Sequence, residues 1–183
     1  MLKELLVRHC APTLAGLKTA NMFSCRYADA AALRDNIDRL NRLFSGKGLR
    51  VLLLRCREGR ALIYVYRPAR LARDLRQDTA EELLTARGYL AKTPSRCLLH
   101  LIERLSRSDD FPHEIGLFLG YPPEDVCGFI RDAAGCKFAG LWKVYGDEDA
   151  ARRTFDRFNK CTRLYCAQLR RGTPLERLAV ADR

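Results

Sequence analysis

The fifteen residues 111–125, FPHEIGLFLGYPPED, constrain what this chain can fold into more than any other stretch. Pro112 fixes the entry, His113 and Glu114 stand side by side, and Gly116 and Gly120 interrupt an apolar run. Pro122-Pro123 then lead into Glu124 and Asp125. A proline in the first helical turn loses no needed donor, and carboxylates there face the positive end of the helix dipole. Residues 114–119 read as extended and residues 123–133 as helical, so the segment predicts a strand, a sharp turn and a helix in quick succession. Core-building sequence does not need that many special residues so close together. The segment marks a place where a site would be built, without naming a reaction.

The flanking pattern is mixed. Residues 138–145 read as a strand, and Asp147-Glu148-Asp149 open the longest predicted helix, ending at Arg171. Its apolar seam runs through Ala151, Phe155, Phe158, Thr162, Tyr165 and Leu169. Upstream, the apolar runs 51–56 and 61–66 flank Arg57-Glu58-Gly59-Arg60 and predict a β-hairpin. Leu33, Ile37, Leu40 and Phe44 fall at helical spacing after Asp29. Further helices are expected over 69–76, 79–90 and 94–106, with Thr79 and Glu82 spaced as a capping box. The N-terminus reads as two short helical pieces broken at Pro12, followed by a strand over 18–25. This order predicts an α+β, or mixed α/β, fold: one domain over 1–183, about five strands, helices packed on the sheet. No G-x-G-x-x-G is present, which argues against a regularly wound dinucleotide-binding fold.

At 183 residues such a domain buries a core without disulfides or metal. No run approaches the ~20 apolar residues of a membrane span. With Lys3, Glu4 and Arg8 near the start, the N-terminus is unlike a secretory signal, so a cytoplasmic location and no membrane partner are expected. Eight cysteines without a C-x-x-C pair are then expected to be reduced thiols, mostly small buried residues. The net charge of +11 comes from 33 basic residues, of which 26 are Arg, against 22 acidic ones. Those arginines are spread along the whole chain rather than gathered in one block. The charge therefore favours weak anion attraction over a specific nucleic-acid motif.

Three segments carry a likeness. HCAPTLAGLKTANMF (residues 9–23), FPHEIGLFLGYPPEDVCGFI (111–130) and GLWKVYGDEDAARRTF (140–155) resemble an uncharacterised family of small bacterial proteins, known chiefly from anaerobic, clostridia-like bacteria. The resemblance covers essentially the whole length. It implies a single-domain bacterial protein with a domain of unknown function, and no established activity or catalytic residue.

The candidate chemistry lies in the same segments. His113 and Glu114 are a possible acid–base pair, although neighbours on a strand point to opposite faces. Cys10 is a possible thiol nucleophile, with His9 beside it or His113 as a partner from elsewhere. The plainer reading makes Cys10 buried and His9 a surface residue. Lys18 with Thr13 and Asn21, and Lys143 between Trp142 and Tyr145, are candidates for holding a carboxylate or phosphate. On a strand, Lys143 and Tyr145 would share a face and Trp142 would take the other. Glu124 and Asp125 are explained by helix-dipole stabilisation. His9, Cys10, His113 and Glu114 are raw material for a metal, at spacings that identify none.

The sequence thus favours a cleft built from the three segments that binds or converts a small anionic ligand. In it Lys18 and Lys143 would hold charge, His113 would move a proton, and Trp142 or Tyr145 would pack on the ligand. Two alternatives stand beside it: a nucleic-acid or acidic-partner module using the arginine-rich last helix, and a metal- or redox-linked accessory protein using Cys10 and a histidine. No cofactor is specified, and the reading covers a binding protein or an enzyme.

Overall fold

The computed structural model describes residues 2–90, 93–107 and 111–182. The fold is α+β: among the described residues there are nine α-helices and five strands in two small sheets. Contacts divide the chain into two compact units, Met1–Ala69 with Phe158–Arg183, and Arg70–Arg157.

The first unit begins with α1 (Leu2–Leu14), which runs through Pro12 instead of breaking there. Pro12 lies in the last turn, where the missing N–H costs one bond, and its own carbonyl accepts from the N–H groups of Leu17 and Lys18. Strand β1 (Ala20–Arg26) follows, then α2 (Ala30–Phe44), capped by the Asp29 carboxylate accepting from Ala31 N at 2.8 Å. A short 3₁₀ turn ends at Gly48 in the left-handed region. The expected hairpin is present as β2 (Arg50–Arg57) and β3 (Arg60–Tyr66). Its two-residue turn has Glu58 at φ 51° and Gly59 at φ 71°, both central residues left-handed, so the strands keep their natural twist.

The sheet is antiparallel in the order β1-β3-β2, with Phe23 opposite Ile63 and Leu53 opposite Ile63 on the other side. The register slips at Leu53/Arg55, a bulge in β2. One face of β3, through Ala61, Ile63 and Val65, joins a core with Leu6, Val7 and Leu14 of α1 and with Leu33, Ile37 and Phe44 of α2. Arg67 is the surprise of this unit. Fully buried, it donates from Nε to Thr13 O (2.8 Å), from Nη2 to Leu14 O (2.9 Å) and Val180 O (2.7 Å), and from Nη1 to Asp182 Oδ1 (2.6 Å) and Lys47 O (3.3 Å). The guanidinium thereby adds a second donor to the Thr13 and Leu14 carbonyls at the end of α1, which also accept from Gly16 N and Val180 N, and ties three separated segments together.

The second unit is mainly helical. It contains α3 (Pro68–Asp74, its first two residues grouped with the first unit), α4 (Asp78–Ala86), α5 (Pro94–Arg107), α6 (Ile115–Phe118) and α7 (Pro123–Arg131). Strands β4 (Phe138–Ala139) and β5 (Lys143–Val144) form its two-stranded ladder. Two expectations fail in the helical part of this unit. The Thr79–Glu82 capping box is absent, because α4 begins at Asp78 and its N-cap, Gln77, makes no side-chain cap bond. The supposed strand over 114–119 is the helical turn α6, closed by Gly120 at φ 72°. An apolar run of that length fits a buried turn as well as a strand, and periodicity alone does not separate them.

Helix α8 (Glu148–Arg170) belongs to the second unit up to residue 157 and to the first from 158. In the first unit Tyr165, Cys166 and Leu169 pack on the sheet core, and α9 (Leu175–Leu178) adds Leu175 and Leu178. In the second, Ala151 and Phe155 join Val144, Phe138 and Trp142 in a small cluster. No described helix is long and apolar enough to cross a membrane.

Candidate functional site

The segments FPHEIG and WKVY meet in the second unit around a pocket of about 320 Å³. Pro112 sets the chain direction, α6 turns it back on itself, and α7 supplies Asp125, Val126 and Phe129 to the wall. Gly116 permits this fold-back: a Cβ there would lie 2.7 Å from Val126 Cγ2 and 3.2 Å from Tyr121 Cδ2. Gly128 in α7 likewise leaves room for the Tyr145 ring, which rests where its Cβ would be.

Asp125 organises one side. It is only 4% exposed, and its Oδ2 accepts from Trp142 Nε1 at 2.7 Å. Its Oδ1 accepts from the backbone N–H groups of Tyr145 (2.7 Å) and Gly146 (2.8 Å). A buried carboxylate with three donors is well satisfied, and here it fixes both the indole and the end of β5. Trp142 also stacks on Tyr121 (4.8 Å between centroids, 24° between planes) and meets Phe155 edge-on at 4.4 Å.

The other side is basic and exposed. His113 meets the Phe129 ring edge-on at 5.0 Å, and Lys143 Nζ stands 5.3 Å from the same ring centre. Lys143 Nζ donates one hydrogen bond, to Ala133 O at 2.6 Å. Trp142 and Lys143 both line the pocket, although strand alternation would put them on opposite faces. The reason is that residues 138–145 are not one strand. A tight turn, with Gly140 N donating to Trp142 O at 3.0 Å, separates β4 from β5, and Trp142 precedes the pleat.

Beneath His113, Glu114 is fully buried and points away into a polar cluster. Its Oε1 accepts from Tyr89 Oη at 2.8 Å and forms an ion pair with Arg104 Nη1 at 2.8 Å, while Oε2 lies 3.6 Å from Arg87 Nη1 and accepts no hydrogen bond. Burial first, and then the hydrogen bond to Glu114, push the Tyr89 hydroxyl well above its ordinary range. Tyr89 in turn stacks on His100 at 4.3 Å. Glu114 therefore anchors the segment that presents His113. The two neighbours are divided between anchor and pocket wall, and they do not face one atom.

The remaining candidates lie in the first unit. Thr13 Oγ1 donates to Asn21 Oδ1 at 2.7 Å. Lys18 is buried, and burial pushes its ammonium down to about 8 despite the neighbouring Cys10. Cys10 is wholly buried, and burial pushes its thiol well above the ordinary value, against the opposing charge of Lys18. Such a sulfur is held as the neutral thiol, the weak form of the nucleophile. His9 is exposed, stacks on Phe23 at 5.6 Å, and is pushed down by partial burial and then by Arg8. Among the described residues no group of three His, Cys, Asp or Glu side chains could hold a metal ion.

A family model described as a protein of unknown function, DUF3793, matches residues 6–179. The chain belongs to this family. No curated protein and no solved structure matches it. The matched span of this DUF3793 member contains the pocket, the Glu114 cluster and the buried Lys18–Cys10 pair alike. Two residues of the member went unnoticed as organisers in its sequence: Asp125, whose place in a helix start was already explained by the dipole, and Arg67, one arginine among 26. For Asp125 the one available signal is its proximity to the PHEIG segment. For Arg67 there is none.

Proposed function

We propose that this protein binds a small anionic ligand in the pocket of the second unit. The observation that carries the reading is the division of the pocket into an apolar, aromatic wall fixed by Asp125 and an exposed basic side formed by His113 and Lys143. An apolar ligand body gains from leaving water against Tyr121, Val126 and Trp142, while its negative group meets Lys143, whose Nζ has N–H donors beyond the one given to Ala133. His113 stands beside the same group as a second donor, and as a proton carrier if the ligand is turned over. Thr13, Lys18 and Asn21 are not needed for this reading.

Calorimetric titration with octanoate and octan-1-ol, which share a tail and differ in charge, tests it. Octanoate is expected to bind with one-to-one stoichiometry and roughly tenfold more tightly than the alcohol, with Lys143→Gln removing most of that difference. Octanol binding as tightly as octanoate, or a Lys143→Gln variant that keeps the full preference, rejects it.

A further inference from the structure

We infer that the occupant of this pocket is a planar aromatic acid of one or two fused rings, an inference that rests on the anion-binding reading above. Among the eleven described residues that line the pocket, five carry aromatic rings: Phe111, His113, Tyr121, Phe129 and Trp142. Neither leucine nor methionine is among them. Those are the side chains whose rotor freedom lets a pocket re-form around occupants of different shape.

Three of these rings, those of Tyr121, Phe129 and Trp142, are packed against neighbours. Trp142 is fixed by Tyr121 at 4.8 Å, by Phe155 at 4.4 Å and by the bond from its N–H to Asp125. Phe129 is met edge-on by His113. Gly116 leaves no slack behind the wall, since even a Cβ would crowd Val126 and Tyr121. Walls that cannot re-pack favour a rigid occupant, because a flexible chain must give up rotor freedom that a fused ring never had. Aromatic walls add offset and edge-on ring contacts beyond simple burial.

Size and charge narrow the class. A cavity of about 320 Å³ lies at the small end of ligand pockets, suited to one or two rings. The two basic groups flank one ring, with Lys143 Nζ at 5.3 Å and the His113 ring at 5.0 Å from the Phe129 centre. That directs the acid group to the Phe129 side and the ring body toward Tyr121 and Trp142.

The test uses the full chain and three probes: 2-naphthoate, the saturated decahydro-2-naphthoate and 2-naphthalenemethanol. Calorimetry gives affinity. Because Trp142 is the chain's one tryptophan, its indole N–H gives a single nitrogen-15 correlation that reports pocket occupancy. The expected result is one-to-one binding of 2-naphthoate, roughly tenfold tighter than either other probe, with a ring-current shift of that correlation. Decahydro-2-naphthoate binding as tightly as 2-naphthoate overturns the planar class and leaves the anion reading standing. The alcohol matching the acid, or no probe binding, overturns the anion reading and this inference with it. A Phe129→Leu variant that keeps the wild-type amide spectrum is expected to lose affinity for 2-naphthoate while holding the saturated acid; equal loss for both counts against the planar class.

Discussion

The carboxylate of Asp125 receives the indole N–H of Trp142 at 2.7 Å across seventeen residues of chain, while its other oxygen receives two backbone N–H groups. One side chain thus sets the position of the pocket's tryptophan and of the strand that carries Lys143. In Asp125→Asn the amide NH₂ must face either the indole N–H or the two backbone donors, so at least one charge-assisted bond becomes a donor–donor contact. A loss of about 2–3 kcal/mol is expected in urea unfolding, together with a shifted Trp142 emission in the folded state. Unchanged stability and emission would show that Asp125 does not hold the indole.

Arg67 makes five hydrogen bonds from a fully buried guanidinium, four of them to main-chain carbonyls and one to Asp182. Lysine carries the charge but offers three donors in place of the planar fork's five, and cannot reach all five acceptors at once. Arg67→Lys is expected to cost about 3–5 kcal/mol, read as a fall in the urea midpoint with an unchanged slope. A cost within that of an ordinary surface substitution would contradict the hub.

Lys18 titrates near 8 in the folded protein because it is buried, against an ordinary 10.5. Below pH 8 both folded and unfolded chains carry its proton, and above 10.5 neither does. Between those values the unfolded chain holds more protons, so this group's contribution to stability rises with pH across that window. Relative to a Lys18→Met variant, the wild type should gain roughly 3 kcal/mol from pH 8 to 10.5, as measured by unfolding at each pH. A difference that stays flat with pH would mean that Lys18 is solvated. Using the difference removes the buried cysteines and tyrosines other than Cys10, the thiol that faces Lys18 itself; their raised values act in the opposite direction.

The eight cysteines are all free thiols, and Cys56 is the exposed one, while Cys10 and Cys97 are wholly buried. Brief treatment of the native protein with N-ethylmaleimide is expected to label Cys56 first. Cys10 and Cys97 should react only under unfolding conditions. Peptide mass spectrometry reads the order, and early labelling of Cys10 would contradict its burial.

Local pattern carried much of the architecture. The Leu33-Ile37-Leu40-Phe44 stripe, the Glu58-Gly59 turn and the Asp147-Glu148-Asp149 helix start each have a cause within a few residues, and each stands where the sequence put it. Where the cause is distant, the reading failed. Pro12 remains helical in a turn whose last carbonyls accept from Arg67, 54 residues away from Thr13, as well as from nearer and more distant backbone N–H groups. The run 114–119 became a helical turn, with the Glu114 carboxylate closed in a cluster with Tyr89, Arg87 and Arg104.

The same division holds for the site. By itself the sequence pointed to residues 111–125 and the WKVY segment, through their density of proline, glycine, histidine and tryptophan, and its candidates included His113, Trp142 and Lys143 of the second unit beside Cys10, Thr13, Lys18 and Asn21 of the first. Only the tertiary structure decided that Glu114 anchors while His113 faces the pocket, that Trp142 and Lys143 share it, and that Asp125 ties indole to strand. A side chain's direction at a turn, and the partner a buried charge finds, are fixed by groups far away in the chain. Neither leaves a periodic trace in the sequence.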